Sequence, residues 1–196
     1  TSRELKAFLP ATAVKKAEEV EHGSFKGYRF VETKIDQDVR KHWFVKDDSV
    51  TDVVKVEEKR TGWQHISDKW YFFDQDGMKK TGWVNDGSWY YLSEDGSMQT
   101  GWKLVSGKWY YLNSAGSMQT GWLNQGGKWY YLYSDGAMAT GWAKVDGKWY
   151  YLNSSGAMVT GWFQTGGKWY YAYNSGALAV NTTINGYTVN ANGEWV

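Results

Sequence analysis

The chain has 196 residues with 22 Lys or Arg against 21 Asp or Glu, a near-balance that leaves no charge excess to draw it to nucleic acid or an acidic membrane. It contains no cysteine, which excludes disulfides and thiolate metal sites, and no apolar run reaches the length of a membrane-spanning helix. No signal peptide opens the sequence, so a secreted product would stand here as its mature form or a fragment. From the N-terminus, Pro10 precedes Ala11-Thr12-Ala13-Val14-Lys15-Lys16-Ala17-Glu18-Glu19-Val20, a run of good helix formers closed by Gly23, which predicts one short helix. Tyr28-Arg29-Phe30-Val31 and His42-Trp43-Phe44-Val45 predict strands, and Trp43 lies one period before Trp63, as a decayed repeat unit would place it.

Composition changes near Arg60. Residues 1–60 hold 13 basic and 12 acidic side chains, residues 61–196 hold nine of each in more than twice the length, and 13 of the 14 Trp fall in the second part. The expected organisation is an N-terminal region, non-repeat or degenerate, over 1–60 and a repeat module over 61–196. In that module Thr100-Gly101-Trp102 to Lys108-Trp109-Tyr110-Tyr111-Leu112 returns every twenty residues or so. A period of this size marks an architecture in which each unit is one supersecondary element that buries its apolar face only against its neighbours. Within a unit, Asp86-Gly87, Ser106-Gly107, Gly126-Gly127, Asp146-Gly147 and Gly166-Gly167 suit two-residue hairpin turns. The following Trp-Tyr-Tyr-Leu run fits a strand, and corners such as Asp95-Gly96 and Ser155-Gly156 end it. The predicted fold is mostly β, a solenoid of stacked β-hairpin repeats of about twenty residues behind a small N-terminal region with a short helix.

Periodic aromatics are most often core. That reading suits the second Tyr of each strand (Tyr91, Tyr111, Tyr131, Tyr151), Leu92, Leu112, Leu132 and Leu152. It also has the better prior for Met78, Met98, Met118, Met138 and Met158, which fill core gaps or line a site. It suits the paired Trp less well: a separation of six or seven residues puts one indole on each strand of a hairpin, where the rings can face each other across a gap. Two indole faces and a third aromatic make a cage for a quaternary ammonium group, which needs no hydrogen-bond partner.

Thr-Gly-Trp, six or seven residues, Lys-Trp-Tyr-Tyr-Leu and then Gly-x-Met resembles the choline-binding repeats of surface proteins from pneumococcus and related Gram-positive bacteria. The resemblance covers residues 61–196, and the tail from Asn181 to Val196 looks like the terminal unit of such arrays. It implies choline held between consecutive hairpins by the two Trp of one unit and a Tyr of the next. The ligand it implies is choline or phosphocholine of teichoic and lipoteichoic acids. Carried over by motif, the implied cages are Trp63, Trp70 and Tyr90; Trp83, Trp89 and Tyr110; Trp102, Trp109 and Tyr130; Trp122, Trp129 and Tyr150; and Trp142, Trp149 and Tyr170. The first Tyr of each pair is chosen because side chains alternate along a strand, so it faces away from the Trp of its own unit. Trp162 and Trp169 are followed by only Tyr187 in a divergent context, and a sixth cage is left unassigned.

Glucan-binding repeats of glucosyltransferases and carbohydrate-binding repeats of clostridial toxins resemble this period, but typically lack the Trp that opens the Tyr-Tyr strand. A carbohydrate-binding module is therefore the weaker alternative. Nothing points to catalysis or a cofactor: His22, His42 and His65 sit singly, without an HExxH motif or a nucleophile elbow. The resemblance implies a noncatalytic secreted protein bound non-covalently to the bacterial cell wall, with adhesin and host-surface partner among its open roles. The runner-up is the binding module of a wall hydrolase, for which residues 1–60 leave little room.

Overall fold

In the computed structural model, residues 59–196 are described in full, and of the preceding residues only the backbone of five strands. The chain divides into two compact units, Thr1–Val84 with Leu92–Met98, and Asn85–Tyr91 with Gln99–Val196. The helix expected over residues 11–20 lies outside the described residues, among which there is no helix.

In the first unit β1 (Arg3–Lys6), β2 (Ser24–Phe25), β3 (Tyr28–Asp36), β4 (Val39–Lys46) and β5 (Asp52–Lys59) form one sheet in the order β1-β5-β4-β3-β2. The two strands read from sequence lie within β3 and β4. Trp43 stands on the central strand, opposite Glu32 on one side and Lys55 on the other, a topology no repeat unit has. The pairing is antiparallel except for β1 along β5, and β3 carries a register shift between Phe30 and Glu32.

Beyond residue 60 the lateral ladder stops. β6 (Gly62–Ile66) pairs only with β7 (Lys69–Phe73), and the same two-stranded plan recurs in β10 (Gly101–Val105) with β11 (Lys108–Leu112), β12 (Gly121–Gln125) with β13 (Lys128–Leu132), β14 (Gly141–Val145) with β15 (Lys148–Leu152), β16 (Gly161–Thr165) with β17 (Lys168–Ala172), and β18 (Thr182–Ile184) with β19 (Tyr187–Val189). The turns explain why. Asp146 and Gly147 have φ of 51° and 79°, and Ser106 and Gly107 of 50° and 77°, the paired positive values of a type I′ turn, whose twist matches the strands it joins. The expectation fails at Asp86-Gly87. Only Gly87 has positive φ, and the loop between β8 (Gly82–Asn85) and β9 (Trp89–Leu92) runs through three residues, with the Asp86 N–H donating to the Ser88 carbonyl at 2.9 Å. One residue fewer between its two Trp shortens the strands and changes the loop type.

Most hairpins contribute one large fully buried side chain, to which smaller ones add, as Ala139 and Ala143 do beside Leu152. Leu92, Leu112, Leu132 and Leu152 are fully buried as expected, with Phe73, Ala172 and Val189 at the equivalent places in other hairpins. Complete burial of a leucine is worth about 2 kcal/mol. The second Tyr of each pair is only half-buried.

Successive hairpins are joined at the corner after each second strand. In the second unit, backbone N–H groups of Met118, Met138 and Met158 donate to the carbonyls of Trp89, Trp109 and Trp129, one hairpin earlier, at 2.7–2.8 Å. The Met side chain then reaches forward: a Cβ on Gly156 would overlap Met138 Sδ, and one on Gly176 would overlap Met158 Sδ. These corner glycines also have φ of 84° and 85°, so both space and backbone demand glycine. Met78 departs from the pattern. It is exposed, and Lys79 takes the place of the other methionines in the short bridge to the preceding strand, with its ammonium 5.1 Å from the Tyr71 ring centroid.

Candidate functional site

Strand register decides which rings can meet. In the β10–β11 hairpin Trp102 lies opposite Tyr111 and Leu104 opposite Trp109, so the two indoles share a face but sit on a diagonal. They do not face each other across a gap in parallel. Where their contact is direct, Trp142 to Trp149, the centroids are 6.4 Å apart and the planes are at 90°. Two walls at right angles form a corner, which suits a near-spherical group better than a slot would.

The third wall comes from the following hairpin. Tyr130 lies 4.9 Å from Trp102, Tyr150 4.8 Å from Trp122 and Tyr170 4.9 Å from Trp142, centroid to centroid and edge-on. The first Tyr of each pair serves the preceding indole, as strand alternation predicts, whereas the second packs against its own unit's Trp, Tyr111 on Trp102 at 5.1 Å and Tyr131 on Trp122 at 5.0 Å. Trp122, Trp129 and Tyr150 line a cavity of about 330 Å³ together with Met158, and Trp142, Trp149 and Tyr170 line one of about 370 Å³ together with Leu178. Of the first two predicted cages, Trp63, Trp70 and Trp83 belong to the first unit, and Tyr90, Trp89 and Tyr110 to the second.

Exposure separates site from core. The strand tryptophans Trp70, Trp89, Trp109, Trp129, Trp149 and Trp169 are all 41–44% exposed, while the residue three places on, Leu in four hairpins and Phe73 or Ala172 in the others, is fully buried. An indole left this open at every turn of a repeat is unlike packing. The Lys144 ammonium lies 5.9 Å from the Trp149 centroid, so a cation already approaches one of these rings. No group of three metal-ligating side chains occurs among the described residues. Lys168 and Glu194 form a charged pair joined at 2.8 Å, and Glu194 borders the cavity of Trp142, Trp149 and Tyr170. Their hydrogen bond holds the Glu194 carboxyl below its ordinary range and raises the Lys168 ammonium above its own.

The choline-binding repeat matches residues 60–100, 99–140 and 139–182. The chain belongs to the choline-binding repeat family. Choline binding protein F from Streptococcus pneumoniae, solved in the presence of a peptidoglycan analogue, is 48% identical over 85% of this chain and 57% of its own, with a TM-score of 0.68. CbpJ from Streptococcus pneumoniae TIGR4 is 47% identical over 86% of this chain and 61% of its own, with a TM-score of 0.69. CbpF in complex with ipratropium is 46% identical over 84% and 58%, with a TM-score of 0.66. The chain thus spans about three fifths of the length of these relatives. No curated protein matches it.

Two features of these choline-binding repeats go beyond the preferred motif reading, which favours core for the corner methionines over the alternative that they line a site. The fourth wall is the corner residue of the next unit, Met158 or Leu178, which sits in the cage as well as in the stacking contact. The second is a further cavity of about 340 Å³ lined by Trp162, Trp169, Tyr187 and Trp195, so the unassigned pair does meet a Tyr. The backbone N–H of Trp195 donates to the Trp169 carbonyl at 2.9 Å, the bond that the backbone of Leu178 makes to Trp149. The signal lay in Gly193-Glu194-Trp195, a Gly-x-Met corner with indole in the last place.

Proposed function

We infer that residues 61–196 form a module that binds choline in the cages Trp102-Trp109-Tyr130, Trp122-Trp129-Tyr150 and Trp142-Trp149-Tyr170, and that residues 1–60 form a separate N-terminal region. The same indole pairs occur in sequence at Trp63 with Trp70 and at Trp83 with Trp89. The observation that carries this reading is the recurrence, in all three cages, of an edge-on contact between a Trp and the Tyr of the next hairpin, beside a strand indole left more than 40% exposed. A trimethylammonium group offers diffuse positive charge and no N–H donor, which is what a ring-lined, donor-poor cavity accepts. Ipratropium, found on CbpF, is consistent with cages of this kind taking quaternary cations.

The protein is a noncatalytic cell-surface protein, held non-covalently on the wall by choline of teichoic and lipoteichoic acids, and an adhesin role fits a chain so tethered. One cage contributes on the order of 2 kcal/mol, too little for retention alone. A polymer bearing many choline groups engages several cages at once, and effective concentration supplies the rest. Thermal melts in choline chloride against equal sodium chloride test the ligand, since a ligand that binds only the folded state raises the midpoint. Identical midpoints in the two salts would remove choline from the proposal, and equal retention on walls with and without choline would remove the attachment role.

A further inference from the structure

The cavity of Trp162, Trp169, Tyr187 and Trp195 differs from the other two in ways that bear on what it takes. Its volume, about 340 Å³, falls between theirs, yet all four lining residues are aromatic. Met158 or Leu178 closes the others with a flexible or aliphatic wall, and Asn174 and Ser175 or Asn192 and Glu194 add polar groups at the rim. The Trp-to-Tyr separation also changes. Trp162 and Tyr187 are 5.8 Å apart, against 4.8–4.9 Å in the three cages above. Tyr187 and Trp195 stand at 75° with centroids 6.0 Å apart, which is too close to admit a ring between them. Both are about half exposed, at 52% and 50%, so each keeps an open face beside the cavity.

We propose that this cavity is a sixth cation site, and that Trp195 makes it select quaternary ammonium ions carrying a flat aromatic arm over choline. The inference rests on the cation-cage reading of the other units and extends it. The trimethylammonium head sits among Trp162, Trp169 and Tyr187, as in the other cages. The arm leaves through the mouth and lies on the open face of Trp195, where the other cages present only a thioether or an isobutyl group. A hydroxyethyl arm gains little there, and an aryl arm gains an aromatic contact. Such a contact corresponds to a preference on the order of fivefold.

The test uses the full chain with ¹⁵N-labelled tryptophan, so that each indole N–H reports its own site, with resonances assigned by single Trp→Phe variants. Titrations with choline and with benzyltrimethylammonium give a dissociation constant for each cage. The quantity that decides is the ratio of the two constants at Trp162 and Trp169 divided by the same ratio at Trp122 and Trp129, which cancels any general gain from the benzyl group. The expected value is a further preference of about fivefold for the aryl ion at the terminal cage. Trp195→Leu, which installs the side chain found at the equivalent Leu178, should bring the quotient to about one while both ligands still bind, and Trp195→Met is the second variant should the first fold poorly. A quotient of one in the unmodified chain, or one unchanged by either substitution, overturns the inference. So does silence of Trp162 and Trp169 towards both ions while Trp122 and Trp129 respond, a result that leaves the choline reading intact. Silence of every indole towards choline would overturn that reading instead, and this inference with it.

Discussion

The N-terminal sheet and the repeats that follow are both built mainly of antiparallel pairs, yet they solve the problem of strand edges differently. In the N-terminal sheet the central strand β4 is hydrogen-bonded along its length on both sides, so Trp43 pairs in register with Glu32 and with Lys55. In the repeats every ladder ends after two strands, and the step from hairpin to hairpin is carried by a corner N–H on a Trp carbonyl together with ring contacts. A continuous ladder fixes neighbouring strands about 4.8 Å apart and leaves no space between them. Hairpins spaced by aromatic rings leave corners, and the corners are the cages. The contrast accounts for composition too: 13 of 14 tryptophans lie where the lateral ladder is missing.

Removing residues 101–140, two whole periods, tests the contrast most severely. A laddered sheet would lose pairing on both flanks of the cut, whereas here each remaining hairpin keeps its partner and its turn. The expected product melts cooperatively but is retained on choline-bearing walls on the order of a hundredfold more weakly, measured by release with free choline. Loss of cooperative melting would show that the units are not separable in this way. Next in size, Leu152→Ala should cost about 3 kcal/mol in urea unfolding, because a fully buried side chain leaves a cavity that the thin core has little means to fill. A cost below about 1 kcal/mol would place the stability in the rings instead.

Two glycines of one repeat separate the hairpin from the joint. Gly156→Ala must place a Cβ against Met138 Sδ at positive φ and should cost about 3 kcal/mol, whereas Gly147→Ala meets nothing within 4 Å and should cost about 1 kcal/mol from backbone strain alone. Equal costs would mean that the Met contact does not couple neighbouring units. The smallest effect concerns the Lys168–Glu194 pair. The carboxyl is held below its usual 4.5, so its contribution is complete above that value and fades as pH falls through the lower folded-state value. The ammonium is raised, so its contribution is lost only as pH climbs past its own elevated range. Between these limits the melting midpoint should be flat in pH as far as this pair is concerned. Glu194→Gln should lower it slightly near neutrality and remove the acid dependence, and added salt should shrink the difference.

Much of the site was legible because its determinants are local. Gly-rich pairs at fixed spacing dictate type I′ turns, and alternation along a strand sends Tyr130, Tyr150 and Tyr170 towards the preceding Trp. What was not legible depends on position counted from a corner rather than on residue identity. Met78 matches the motif by type but precedes the structural place, which Lys79 fills, and Trp195 fills it without resembling Met at all. Asp86-Gly87 reads as a two-residue turn until the missing residue between Trp83 and Trp89 is allowed for. The parallel pairing of Arg3–Lys6 with a strand starting at Asp52 is a contact across most of the region, and no short motif encodes it.

The joint between hairpins has a genetic consequence. Every regular unit supplies a Trp carbonyl to its successor and a corner N–H to its predecessor, so any unit can follow any other. Unequal recombination between repeats in the coding sequence, provided it preserves frame and period, therefore creates a longer or shorter array with no defective seam. Selection can adjust the number of cages in single steps without passing through misfolded intermediates. The unit of Tyr187 and Trp195 stands outside this exchange: its strands are three residues long, and a regular unit spliced in its place would bring a corner without an indole. Copy number should drift between related arrays while the unit of Tyr187 and Trp195 keeps its own sequence.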